Sequence, residues 1–171
     1  MKAKWRKGAA ITLSAVMTLG MLAVPAMASA KDAVLNKPYV SLGADLDGNQ
    51  RATVLELLGV TEEELQGYTV VNITNEEEHQ YLDAYLDYSL IGDQALSSAL
   101  VVGKESGYGI QVTTQNISYC TVGMYQNALA TAGIENADIK VAGPAKISGT
   151  AALIGVMKAY CSRVGEGPFP T

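Results

Sequence analysis

One histidine, two cysteines, one tryptophan and one phenylalanine are all that this chain offers of those residue types. The scarcity excludes a good deal. A structural or catalytic metal centre needs several ligands at defined spacing, and His79 has no second histidine or paired thiolates to work with. Cys120 and Cys161 do not make a disulfide framework; Cys120, in an apolar stretch read as helical, is expected as a buried thiol acting as a small hydrophobe. No Gly-x-Gly-x-x-Gly or Walker pattern occurs, so a nucleotide site is not expected. Trp5 and Phe169 lie near the two ends. The interior therefore relies on tyrosine, and each buried ring must find a partner for its hydroxyl.

The first thirty residues have a distinct layout. Lys2, Lys4, Arg6 and Lys7 precede an apolar run from Gly8 to Val24, Pro25 ends it, and Ala28-Ser29-Ala30 supplies small residues. This is the pattern of a cleavable signal peptide, residues 1–30, with the cut expected after Ala30. A run of about seventeen residues is at the short edge of what spans a bilayer, so no stable membrane insertion is expected after cleavage. The product would be secreted, extracellular or wall-associated. Without those four cations, eight Lys and Arg stand against seventeen Asp and Glu, a net charge of −9. That sign disfavours nucleic acid and anionic lipid as partners.

From Lys31 onward the chain has the length of one domain. A lead-in, Lys31 to Ser41, precedes a helix that Asp47 can cap and Gly59 can end near Leu58. Thr61-Glu62-Glu63-Glu64 is a capping box for a second, short helix. Tyr68 to Thr74 is rich in β-branched residues and reads as a strand. Asn75 opens a helix expected to run to about Tyr88, with Glu76, Glu77 and Glu78 as first-turn acids favoured by the helix dipole. Ser98–Gly103 and Tyr108–Thr114 read as an antiparallel hairpin about a polar turn. A helix over Ser118–Ala132, stopped by Gly133 and Ile134, leads to a short strand, Ala137–Ala142. Gly143-Pro144 breaks the chain, and Ser148 caps a last helix to about Tyr160. The order predicts an α/β (α+β) single domain in which a mixed sheet with an antiparallel hairpin packs against helices, without a clean βαβ repeat.

Four groupings invite a chemical reading. Asp45, Asp47, Asn49 and Glu56 match oxygen positions of a calcium loop, but Gln50 stands where the turn needs glycine, so the helix-cap reading of Asp47 is favoured. His79 beside three glutamates suggests a metal or a base, yet lacks partners and is expected exposed or half-buried. Tyr81, Tyr85 and Tyr88 would line one face of a long helix, as core or as a stripe for wall sugars or peptides. The segment from Pro144 to Thr150, with Lys146, Ser148 and Thr150, could hold an anion at a helix start, although close helix packing explains it as well. No catalytic, cofactor-binding or metal-binding residue is assigned.

Six segments together resemble a known family: Ser41 to Leu46, Ile91 to Ser98, Gly107 to Ile110, Asn116-Ile117, Tyr125 to Ile134, and Ser148 to Leu153. The chain is similar from about Val40 to Tyr160 to the YpuA-like exported proteins of Gram-positive bacteria, classed as a domain of unknown function (number 1002). The resemblance implies export and a shared fold, and carries over no activity, cofactor or catalytic residue. Two departures stand out: Asp47-Gly48-Asn49 replaces Thr or Ser followed by acids, and the family continues into helical sequence after Tyr160. The domain, residues 31–160, therefore reads as C-terminally truncated, with residues 161–171 an irregular tail. On that reading Leu153, Ile154, Val156 and Met157 lack their partner and form an exposed apolar patch. The function expected is non-catalytic binding, with a wall component or envelope protein as partner. The alternative is an extracellular hydrolase using carboxylates with Ser or Thr, for instance around Asn116 and Ser148.

Overall fold

The computed structural model of the protein describes residues 37–164. The expected signal peptide lies outside them, as do residues 165–171. The end of the expected lead-in, Tyr39 to Ser41, belongs to β1 (Tyr39–Gly43), buried at all five positions. Such a strand is covered on both faces and shows no alternation in sequence. Asp47 then caps α1 (Gly48–Leu58): its carboxylate accepts from Gln50 N at 2.8 Å, and Gln50 Oε1 accepts from Asp47 N at 3.0 Å. Gly59 ends the helix at φ 73°, and Val60 N donates back to Leu55 O. Thr61 and Glu64 exchange the expected capping-box bonds ahead of a 3-10 turn, Glu64–Gly67. Next comes β2 (Thr69–Ile73), parallel to β1.

Helix α2 (Asn75–Leu82) stops short of the expected Tyr88, and a separate turn, α3 (Tyr88–Ile91), follows. Then come β3 (Ser98–Gly103), β4 (Ile110–Ile117), α4 (Val122–Thr131), β5 (Ala137–Ile147) and α5 (Thr150–Val164). The result is a single mixed α/β domain with five strands in the order β2-β1-β3-β5-β4. The expected hairpin is not formed. β5 lies between β3 and β4, antiparallel to the first and parallel to the second, with Ile139 opposite both Val101 and Val112. The turn after β3 is held open from outside. Asn136, one residue before β5, accepts from Gly107 N and Gly109 N at 2.9 Å through its side chain and from Lys104 N through its carbonyl. Both glycines sit at positive φ, which spreads the turn to straddle an intervening strand.

β5 also runs through Gly143-Pro144, where a break was expected. Its pairing with β3 ends at Ala142, and its register with β4 shifts beside Asn116, so Pro144 stands where no ladder bond is asked of its nitrogen. β1-α1-β2 and β4-α4-β5 are two βαβ units flanking β3, a repeat the sequence did not show. Both step the same way across the sheet, yet α1 packs on Val40, Leu42 and Leu100 while α4 packs on the Ala99 and Val101 face. The two crossovers therefore have opposite hand, and one departs from the usual right-handed rule.

α5 continues past Tyr160 to Val164, so the first residues of the expected irregular tail are helical. Its apolar residues are not left open either: Leu153, Ile154 and Val156 are buried against the sheet and α2, and Met157 packs at their edge. Among the described residues, no helix is long and apolar enough to cross a membrane. α5 lies close on β1 because position 155 has no side chain: a Cβ there would fall 2.1 Å from Ser41 Oγ. Gly155→Ala is expected to lose about 1–3 kcal/mol by overpacking, most of it recovered when combined with Ser41→Gly. Ser41 Oγ is itself a buried polar atom without a partner among the described residues. Ser41→Ala alone should leave stability unchanged or raise it by about 1 kcal/mol. Urea unfolding of the three variants checks both.

Candidate functional site

A helix leaves its first N–H groups unpaired and carries partial positive charge at that end. At the start of α5 the protein meets one of these groups with a side chain and ties the surrounding residues to one another. Ser97 Oγ accepts from Ala152 N at 2.8 Å. Thr150 hydrogen-bonds to Ser148 Oγ at 3.0 Å and to the Glu78 carboxyl. Tyr125, fully buried, donates its hydroxyl to Gly149 O at 2.9 Å. The acid nearest this helix start is the protein's own Glu78, which reaches it through the Thr150 side chain.

Glu78 was read as one of three equivalent first-turn acids, and the structure separates them. Glu76 is exposed. Glu77 completes the cap with Thr74 and pairs with Lys158 of α5; burial would raise its carboxyl, but the Lys158 and Thr74 hydrogen bonds hold it below the usual value. Glu78 is 1% exposed, and burial pushes its carboxyl above the ordinary range against hydrogen bonds from Thr150 and Asn75 and the nearby charge of His79. A signal for this was present: Glu78 is three residues after Asn75 and four before buried Leu82, on one stripe of α2.

Beside this helix start opens a cleft of about 420 Å³, walled by Ser89, Gly92, Asp93, Gln94 and Ser97 on one side and Ser118, Tyr119, Lys146, Ser148 and Thr150 on the other, with Glu78 among its lining. Tyr119 and Leu90 also border a second hollow of about 310 Å³ with Asp83, Tyr85 and Asp87. Tyr119 is 38% exposed, Tyr88 61% and Tyr85 81%. The expectation that Tyr81, Tyr85 and Tyr88 line one helix face as core fails for the last two, because α2 ends at Leu82; Tyr81 alone packs against buried Ile73 and Leu82 as part of that cluster.

The remaining candidates have structural work. Asp45 Oδ2 accepts from Ala95 N at 2.7 Å, Asp47 caps α1, and Glu56 is exposed far along that helix, so these oxygens do not converge. No group of three or more His, Cys, Asp and Glu placed to hold a metal occurs among the described residues. Asn116, at φ 60°, donates its amide to Gly143 O and holds the irregularity between β4 and β5. Cys120 is a buried free thiol in the bend before α4, pushed up by burial to about 11, which makes it a poor nucleophile. His79 is half-buried against Asp83, Gly92 and Tyr88.

The raised Glu78 carboxyl has a pH signature. An acid whose folded value lies above its unfolded one stabilises the fold at low pH, and that contribution is lost as pH rises from about 4.5 through the folded value. Glu78→Gln, which cannot ionise, should therefore gain on the parent chain across that window and hold its advantage above it. Urea unfolding at a series of pH values tests this; a difference constant with pH would refute it.

Five of the six family-like segments meet here. Gly43 N donates to Ser98 Oγ, Asp45 is tied to Ala95, Ser97 to Ala152, and Tyr125 to Gly149, whose missing Cβ would strike Ile117. Residues 42–167 match the family described as "Protein of unknown function (DUF1002)". The chain is similar to the uncharacterized protein YpuA of Bacillus subtilis (strain 168), 42% identical over 140 residues that cover 82% of this chain and 47% of YpuA. It thus spans about half the length of that relative. It is also similar to adenylosuccinate synthetases of Frankia casuarinae and Streptomyces coelicolor, 39% and 41% identical over 85 residues, 50% of this chain but 18% of each synthetase. No solved structure matches significantly. With most of its length inside the family match, and with the family-like segments packed around one helix start, the chain belongs to the DUF1002 family.

Proposed function

We propose that the protein is an exported, non-catalytic binding domain of the cell envelope, and that its ligand is a neutral, hydroxyl- or amide-bearing fragment of the wall. The observation that carries this is the lining of the cleft beside α5. Its accessible hydrogen-bonding groups are Ser89, Gln94, Ser118 and Ser148 together with one acid, Asp93, and one cation, Lys146, whose charges balance, and the exposed Tyr119 ring lies at its edge. Neutral polar groups with an amphipathic ring fit a ligand that has both hydroxyls and apolar faces. Glu78, the carboxyl at the floor, has its hydrogen bonds turned inward to Asn75 and Thr150. Export is supported by the charged, apolar and small-residue order of the first thirty residues. The synthetase alignments span too little of those enzymes to bring their activity here.

One observation favours the hydrolase reading. Ser148, Thr150 and Glu78 form a chain of hydrogen-bonding groups at the cleft, and a carboxyl with a raised pKa is suited to acid–base work. Glycoside hydrolysis usually needs a second carboxylate; Asp93 lines the same cleft but accepts from the Tyr88 hydroxyl at 2.8 Å. The two readings separate in one experiment. Calorimetric titration with purified glycan and peptide fragments of the wall should show binding that Tyr119→Ala weakens at least about tenfold, with Tyr108→Ala, at the opposite end of β4, as the control. Absence of binding, or fragment cleavage that Glu78→Gln abolishes, would overturn the proposal.

A further inference from the structure

His79 is the only histidine of the chain, and both of its ring nitrogens face acceptors. Nδ1 lies 2.7 Å from Asp83 Oδ1, and Nε2 lies 2.9 Å from Gly92 O. A neutral imidazole has one N–H and can donate to one of them; the imidazolium donates to both. Tyr88 of α3 stacks on the ring, with centroids 4.4 Å apart and planes at 22°, an arrangement that favours a cation over the phenol face. Gly92 O accepts a second bond, from Asn75 Nδ2 at 3.0 Å. Gly92 itself sits at φ 78°, ψ −168°, a region open essentially to glycine alone. Two donors from α2 thus hold a turn that is also a wall of the cleft.

We propose that His79 is a pH-operated latch on the segment from α2 to Gln94. Protonated, it bonds Asp83 and Gly92 together and clamps the α3 turn under the Tyr88 ring. Deprotonated, it must give up one bond, and the turn bearing Gly92 and Asp93 loosens at the edge of the cleft. The charged groups around it favour the clamped form. Asp83 and Glu78 come from its own helix, while α3 offers the Tyr88 hydroxyl, itself donated to Asp93. Lys158 of α5, the nearest cation packed on α2, is taken up by Glu77. The Asp83 hydrogen bond first, then the Gly92 carbonyl and the charges of Asp83 and Glu78, outweigh burial and raise the imidazole above 6.5. The latch is therefore fully closed below the unfolded value and opens as pH rises through the folded one. The latch follows from these contacts whether or not the cleft binds a wall fragment.

Being alone, His79 gives one set of ring resonances, so proton NMR of the protein reads its titration directly. The expected midpoint lies above 6.5. Amide exchange then reads the latch. Leu90 N donates to Asp87 O and Gly92 N to Tyr88 O, and their protection, corrected for intrinsic exchange, should fall roughly tenfold as pH crosses that midpoint. In His79→Phe, which keeps a ring for Tyr88, protection should stay low and independent of pH. Asp83→Asn, which leaves the ring in place, should move the transition to lower pH. A midpoint at or below 6.5, protection of the two amides that ignores pH in the parent chain, or the same pH dependence in His79→Phe would overturn the proposal.

Discussion

Burying the first turn of a helix obliges a protein to find partners for N–H groups that the helix cannot satisfy, and the first residues of α5 are buried. Thr150, Ala151 and Ala152 are all inaccessible. Ser97, just before β3, accepts from Ala152 N. Around it Glu78 of α2 meets the Thr150 side chain, Tyr125 of α4 donates to Gly149 O, and Ser118 N and Cys120 N donate to the carbonyls of Ile147 and Ser148. Elements from both halves of the sheet are thereby fixed to one another through a few residues. Further along, Gly155 lets the same helix settle on β1, where Tyr39 donates its hydroxyl to Gly155 O. The shape of the cleft follows from this anchorage, because both of its walls are segments that end on α5.

The scarcity of phenylalanine and tryptophan sets how the interior is filled. Tyr39 and Tyr125 are core residues, and each places its hydroxyl on a backbone carbonyl, as a buried phenol must. Tyr85 and Tyr119 are exposed at the two hollows, and Tyr88 is exposed with its ring stacked on His79. The same residue type thus serves packing in the core and stands exposed at the surface, and composition alone does not distinguish the two uses.

Adjacent acids are distinguished in the same manner. Three consecutive glutamates on α2 project in three directions because a helix turns about 100° per residue. One meets water, one meets Lys158, and one is driven into the interior beside Thr150. His79, next in line, meets Asp83 and Gly92. A run that reads as a uniform charged face in fact joins α2 to the last helix and to the wall of the cleft.

What the sequence determined by itself was local. The Asp47 cap, the glycine stops at Gly59 and Gly133 and the Thr61 box are made by groups within about five residues of each other, so composition and spacing suffice to read them. Tertiary structure decided everything that depends on a distant partner. β1 is a strand because β2 and β3 pair with it. The expected hairpin opens because Asn136, 27 and 29 residues beyond Gly109 and Gly107, holds their amides. Glu78 is a buried carboxyl instead of a surface acid because a helix more than seventy residues later begins beside it, with Thr150 against it. In each case the unpaired backbone or charged group has local alternatives of similar energy, and only long-range packing removes them.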